Sequence, residues 1–261
     1  MKKNRFGFEF WDKEKENVLK MYLDEYKRVG IIAKEYGCEP TTITRQLRRW
    51  GVYDKYRGNS TYHVNHRYFE NIDTEEKAYF LGLLLADGHV SDSIMLYMKD
   101  LEIIEKFKTA IESEHPIKYD RYNTPGISVA SKHMVKDLED KGFHNRKSYG
   151  LDFNKVKSFV PDDLLHHFVR GMFDGDGSIR VYRYPYLKKP QYHFGYTGTF
   201  EICNFIKSYL GINRKLVDEK GIAYTCVTRD IDLIRKIYDI LYKDATIYLK
   251  RKYETFQKEI L

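Results

Sequence analysis

The sequence predicts an α+β protein: two pseudo-symmetric αββαββα units of antiparallel sheet, preceded by a small all-α domain. Three observations carry that prediction. The run Phe80-Leu81-Gly82-Leu83-Leu84-Leu85-Ala86-Asp87-Gly88 returns as Phe168-Val169-Arg170-Gly171-Met172-Phe173-Asp174-Gly175-Asp176-Gly177, which registers Gly82 on Gly171, Ala86 on Gly175, Asp87 on Asp176 and Gly88 on Gly177. The residues after each copy pass through the same succession of helical and alternating patterns. Residues 10–53 show helical spacing alone.

Within that first segment three short helices are expected. Asp12 stands where it would N-cap the first, along which Val18, Leu19, Tyr22 and Tyr26 recur. Ile31, Ile32, Ala33 and Tyr36 mark the second, and Gly37 ends it as a left-handed C′ residue. Pro40 holds Glu39 away from helical angles and opens the third helix at its first position. There Ile43 and Leu47 share one face, while Thr42, Thr44, Arg45, Arg48 and Arg49 occupy the remainder. Residues 29–52 resemble a helix-turn-helix with an arginine-rich recognition helix.

Residues 54–73 are polar and basic, with little periodicity, and are expected to form an extended linker. His63-Val64-Asn65-His66 lacks the carboxylate or cysteine partners of a metal site. The first repeat, residues 74–150, follows its Asp-Gly with a strand at 93–98, a helix at 101–111, strands around 117–119 and 127–129, and a helix at 132–141. The second, residues 151–261, gives strands at 179–182 and 192–196, a helix at 200–210, strands around 215–217 and 223–227, and a helix at 231–242. Such a duplication, joined through residues 143–159, predicts a monomer with an internal pseudo-twofold axis.

The motif itself carries chemistry. Gly82 with Ala86 and Gly171 with Gly175 make two small-xxx-small faces, where helix backbones can almost touch. Asp87 and Asp176 follow at the helix C-terminal ends, so the two carboxylates converge where both helix dipoles add negative potential. Such a pair needs a cation between its members. Mg²⁺ suits, as a hard ion held by few protein oxygens with water and phosphate completing its shell, and the site would hydrolyse phosphodiesters. Asp-Gly alone is a common helix stop, so the argument rests on the pair.

Composition agrees with a polyanionic partner. The formal net charge is +7, and lysines and arginines that meet phosphates release condensed counterions. Cys38, Cys203 and Cys226 are too few and too scattered for zinc or a disulfide framework. The first ten residues lack an apolar signal core, and no apolar run approaches membrane length, which predicts a cytoplasmic setting.

From residue 71 onward the sequence resembles the monomeric, two-repeat LAGLIDADG homing endonucleases; its second motif copy matches the family name well, and its first has Leu85 where an acid is common. That resemblance implies a saddle of two antiparallel sheets over the DNA major groove and site-specific cutting of both strands, leaving a short 3′ overhang, in a prokaryotic, phage or organellar setting. It implies divalent ions on Asp87 and Asp176, with the Ala86 and Gly175 carbonyls as further ligands. Lys132 and Arg229 fall where family members carry a basic residue that orients water or stabilises the phosphate. Arg180, Tyr182, Arg183, Lys188, Lys189, Gln191 and His193, in the long second hairpin, are candidates for DNA contact, about half of them facing inward by alternation. A basic amphipathic helix opening at residues 248–253 reads as the usual solvated face or, less often, as a contact to the nucleic-acid backbone. A DNA-binding regulator without cleavage and an RNA maturase are the alternative readings.

Overall fold

The computed structural model describes residues 6–25, 27–53, 62–143 and 152–261. Tyr26, residues 54–61 of the expected linker and residues 144–151 between the repeats lie outside them.

The N-terminal module contains helices α1 (Phe8–Lys13), α2 (Lys15–Leu19), a π-helical turn (Lys20–Asp24), α3 (Val29–Glu35) and α4 (Pro40–Arg49). Trp11, Val18, Tyr22, Ile32, Ala33, Cys38, Ile43 and Leu47 form its own small core. Gly37 has φ of +62°, the left-handed angle that ends α3, and Pro40 takes the first helical position of α4. Asp12 is not an N-cap. It lies inside α1, whose N-cap is Gly7, and it pairs with Arg49 instead.

Two αββαββα units follow. The first comprises α5 (Glu75–Ala86), β1 (Gly88–Val90), β2 (Ile94–Tyr97), α6 (Leu101–Ala110), β3 (Lys118–Tyr119), β4 (Pro125–Val129) and α7 (Lys132–Asp140). After a short α8 (Phe153–Ser158) the second comprises α9 (Leu165–Asp176), β5 (Gly177–Tyr182), β6 (Gln191–Gly198), α10 (Phe200–Tyr209), β7 (Val217–Glu219), β8 (Ala223–Thr228) and α11 (Ile231–Tyr242), and it continues into α12 (Lys250–Glu259). The sheets are antiparallel and share one order, β1-β2-β4-β3 and β5-β6-β8-β7.

Three further expectations change. Residues 62–73 do not continue an extended linker: Val64, Tyr68, Phe69 and Ile72 are buried in the core of the repeats, and the Asn65 amide donates to the Ile111 carbonyl at 2.9 Å. Strand β7 lies two residues later than 215–217, because the turn at Lys220-Gly221, both at positive φ, lets Glu219 pair with Ala223. The helix near 248–253 begins at Lys250 and is not merely a solvated face, since Lys252 is 3% exposed. One apolar core runs through both repeats. No helix among the described residues is long and apolar enough to cross a membrane.

Candidate functional site

Helices α5 and α9 cross with their backbones in contact, and two glycines make the crossing possible. A Cβ at Gly82 would run into the Phe168 carbonyl oxygen, and one at Gly171 into that of Tyr79. A Cβ at Gly175 would meet that of Ala86 and come within 3.3 Å of Asp87 Oδ2. Gly175 directly precedes Asp176, so the Asp87 side chain lies against the stretch of backbone that delivers Asp176. Both aspartates are exposed at the C-terminal ends of their helices.

Two buried groups feel both carboxylates. Burial, then the charge of Asp176 and more weakly that of Asp87, holds the Tyr196 phenol well above its ordinary range, so it stays protonated. Burial pulls the Lys252 ammonium down to about 8, against the opposing charges of Asp174, Asp87 and Asp176. No cluster of three or more His, Cys, Asp or Glu able to hold a metal occurs among the described residues. A pair of exposed carboxylates flanked by helix-end carbonyls is nevertheless a fitting donor set for a small divalent cation that keeps most of its water.

A charged network beneath α9 escaped the sequence reading. Arg170 is wholly buried: its guanidinium donates to the carbonyls of Ile247 (2.8 Å) and Leu241 (2.9 Å) and to Glu75 Oε1 (2.6 Å). Burial works against charge on Glu75, but hydrogen bonds from the Thr246 amide and hydroxyl, together with Arg170, hold its carboxyl below the usual range. Asp174, also fully buried, accepts from Tyr79 (2.9 Å), Tyr242 (2.5 Å) and the Leu249 amide (2.7 Å). Burial pushes its carboxyl up all the same. Lys252 Nζ donates to the carbonyls of Phe173 (2.5 Å), Asp174 (2.8 Å) and Gly177 (2.6 Å) and reaches that of Gly175 at 3.5 Å. Helix α12 thus places a cation on the negative end of α9. The available signal was Arg170 and Asp174, four apart inside an apolar helix, since buried charges require partners.

The remaining candidates sit on the sheets and on α4. Arg229 is exposed just past β8, and it acts with Arg180 on His193, whose imidazole pKa is lowered by burial first and then by these two cations. The β5–β6 register pairs Arg180 with His193 and Tyr182 with Gln191, while Ile179 is buried, which is the expected alternation. Arg183 pairs with Glu259, and Lys188 and Lys189 are exposed. Lys132 is exposed at the start of α7, capped by Ser131. Because Gly88 pairs with Leu96 and Leu96 with Ile127, the row beside Asp87 crosses β4 before that strand ends at Val129. In α4, Arg45 and Arg48 are exposed, Thr42 and Thr44 half-buried, and Arg49 is engaged by Asp12.

The fold is that of solved LAGLIDADG homing endonucleases. I-LtrWI bound to target DNA superposes with a TM-score of 0.50 at 18% identity, covering 74% of this chain and 89% of that one. I-SmaMI, bound to uncleaved DNA target in the presence of calcium ions, gives 0.52 at 14% over 69% and 89%, and I-CpaMI bound to uncleaved DNA gives 0.51 at 11% over 69% and 89%. Among curated proteins of Methanocaldococcus jannaschii, the chain is 30% identical over 140 residues to a glutamine–fructose-6-phosphate aminotransferase, covering 48% of this chain and 12% of that protein. It is 25% identical over 158 residues to an uncharacterized protein (58% and 57%) and 22% identical over 185 residues to reverse gyrase (70% and 10%). The chain therefore spans from about a tenth to just over half the length of the curated relatives it matches. No family model matches it.

Proposed function

We propose that this chain is a site-specific double-stranded DNA endonuclease that uses one aspartate from each repeat. The observation that carries this reading is the delivery of two exposed carboxylates, Asp87 and Asp176, to the foot of a glycine-mediated helix crossing. The DNA bound by the structural neighbours and the calcium present with one of them support it. The match to two differently named enzymes covers only about a tenth of each, so neither of those activities is carried over.

Asp87 and Asp176 would hold the divalent cation, Mg²⁺ in this reading, with the Ala86 and Gly175 carbonyls as further ligands. The chemistry supplied by such a cation is activation of water and neutralisation of charge on the phosphate. Lys252 offsets the negative end of α9 and so keeps two like carboxylates tolerable beside each other. Lys132 and Arg229 would steady the phosphate, and Arg180, Tyr182, Arg183, Lys188, Lys189, Gln191 and His193 would meet DNA along the second sheet. With residues 62–73 assigned to the first repeat, the α3–α4 pair would act as a helix-turn-helix through Thr42, Thr44, Arg45 and Arg48, raising the effective concentration of the core at its target. One chain carries both carboxylates, so a monomer suffices.

Cleavage of a plasmid library with Mg²⁺ tests the reading. Site-specific double-strand cuts are expected, and Asp87→Asn or Asp176→Asn should each slow cutting by at least ~100-fold while DNA binding persists. Tight duplex binding without cutting would leave a binding-only regulator, and preference for structured RNA would leave a maturase.

A further inference from the structure

Tyr196 lies under the paired aspartates, and its hydroxyl has no hydrogen-bond partner. The residue is 1% exposed, and its oxygen is among the few buried side-chain atoms left unsatisfied. Other buried phenols of the repeats are partnered: Tyr79 and Tyr242 both donate to Asp174, and Tyr68 donates to Glu76. A buried polar group left unpaired is costly, and beside two carboxylates an unpartnered hydroxyl points to a partner that arrives with function.

Position says where that partner would be. Tyr196 pairs across the sheet with Gly177, the residue after Asp176. Like Phe194 two residues earlier, which stacks on Phe173, it faces the helices. Its hydroxyl reaches along the strand to 3.8 Å from where a Cβ of Gly198 would stand, toward the end of the sheet at which α9 delivers Asp176. The matching position in the first repeat, opposite Gly88, is the apolar Leu96.

We propose that Tyr196 is a positioning residue: in the cation-loaded site its phenol donates a hydrogen bond to the carboxylate pair, Asp176 first, and fixes its orientation from one side only. The proposal rests on the endonuclease reading only through the paired carboxylates. Its asymmetry is specific, because Leu96 cannot do the same for the other half.

Tyr196→Phe keeps the ring and removes the hydroxyl. In metal-free buffer its Tm should equal or exceed that of the wild type, because an unsatisfied buried group is lost. Mn²⁺ affinity, followed by the EPR signal of the free ion, should weaken ~3- to 10-fold, the change expected for one hydrogen bond. On cleavable DNA with separately labelled strands, one strand should slow more than the other, so that nicked product accumulates. A lower metal-free Tm, unchanged Mn²⁺ affinity, or equal slowing of the two strands would overturn the proposal. Weakened Mn²⁺ binding in a protein whose wild type cuts no DNA supports it while sinking the endonuclease reading. Asp176→Asn that binds Mn²⁺ like the wild type would sink both.

Discussion

Helices α5 and α9 are the same element twice, yet they are buried in different ways. Both use a glycine at the crossing, and both end in an exposed aspartate. At the two positions that flank the small residues, α5 carries Leu81 and Leu85 where α9 carries Arg170 and Asp174. Leucines are satisfied by any apolar surroundings, whereas the charges depend on polar partners, Glu75 and Tyr79 from α5 itself and several more from the extended second repeat. Its chain continues past α11 to supply the Ile247 carbonyl, the Leu249 amide and Lys252. Symmetry is thus kept where backbone geometry sets the site and lost where side chains need satisfying.

The largest expected effect tests the symmetric half of that statement. Gly82→Ala and Gly171→Ala each push a Cβ into a carbonyl oxygen of the other helix, which a backbone cannot evade cheaply. Each should lose about 3–5 kcal/mol in denaturant unfolding, to similar extents, and a loss confined to one would break the equivalence of the two helices.

The asymmetric half predicts that exchanging the flanking residues fails in both directions. Asp174→Leu leaves Tyr79, Tyr242 and the Leu249 amide without an acceptor and should cost about 3–4 kcal/mol, whereas Asp174→Asn, whose amide oxygen still accepts, should cost less. Leu85→Asp places a carboxyl at a position that is 4% exposed and should cost about 2–4 kcal/mol near neutral pH. That loss should shrink in acid, since a buried carboxyl with a raised folded pKa gains relative stability as it protonates. Urea melts at neutral and acidic pH measure both.

The smallest effect sharpens the comparison without breaking it. His115 in the first repeat and His167 in the second are each held at about 4, chiefly by burial, below the ordinary 6.5. Unfolded, each takes up a proton below pH 6.5, whereas folded it resists until about 4, so stability should fall as pH drops through that window. His115→Asn and His167→Asn should each flatten the slope of unfolding free energy against pH, by about 1–2 kcal/mol across the window. Equal flattening is expected, because the cause is burial in both repeats.

Much of the fold is legible in the chain because its signals are local. Helix α11 falls on residues 231–242 as its spacing predicts, and Gly37 and Pro40 mark the turn between α3 and α4. The packing of residues 62–73 is not legible, since Val64, Tyr68 and Ile72 recur every four residues among polar and basic neighbours, yet the segment folds as turns that dock on distant elements. Asp12 misled for a related reason: an aspartate near a helix start resembles a cap, and its true partner, Arg49, is 37 residues away. Lys252 was hidden in a basic run that ordinarily faces solvent.

By itself the sequence determined that one motif occurs twice, with small residues in register and an aspartate after each, because a helix crossing with backbone contact needs those residue types at that spacing. Tertiary structure alone decided that Lys252 lies on the carbonyl end of α9, that Arg170 and Asp174 each find buried partners elsewhere in the fold, and that the Tyr196 hydroxyl is buried with no hydrogen-bond partner. Those partners lie 68 to 95 residues apart along the chain. A periodic pattern shows which face is buried; which group is buried against it depends on how the two repeats dock.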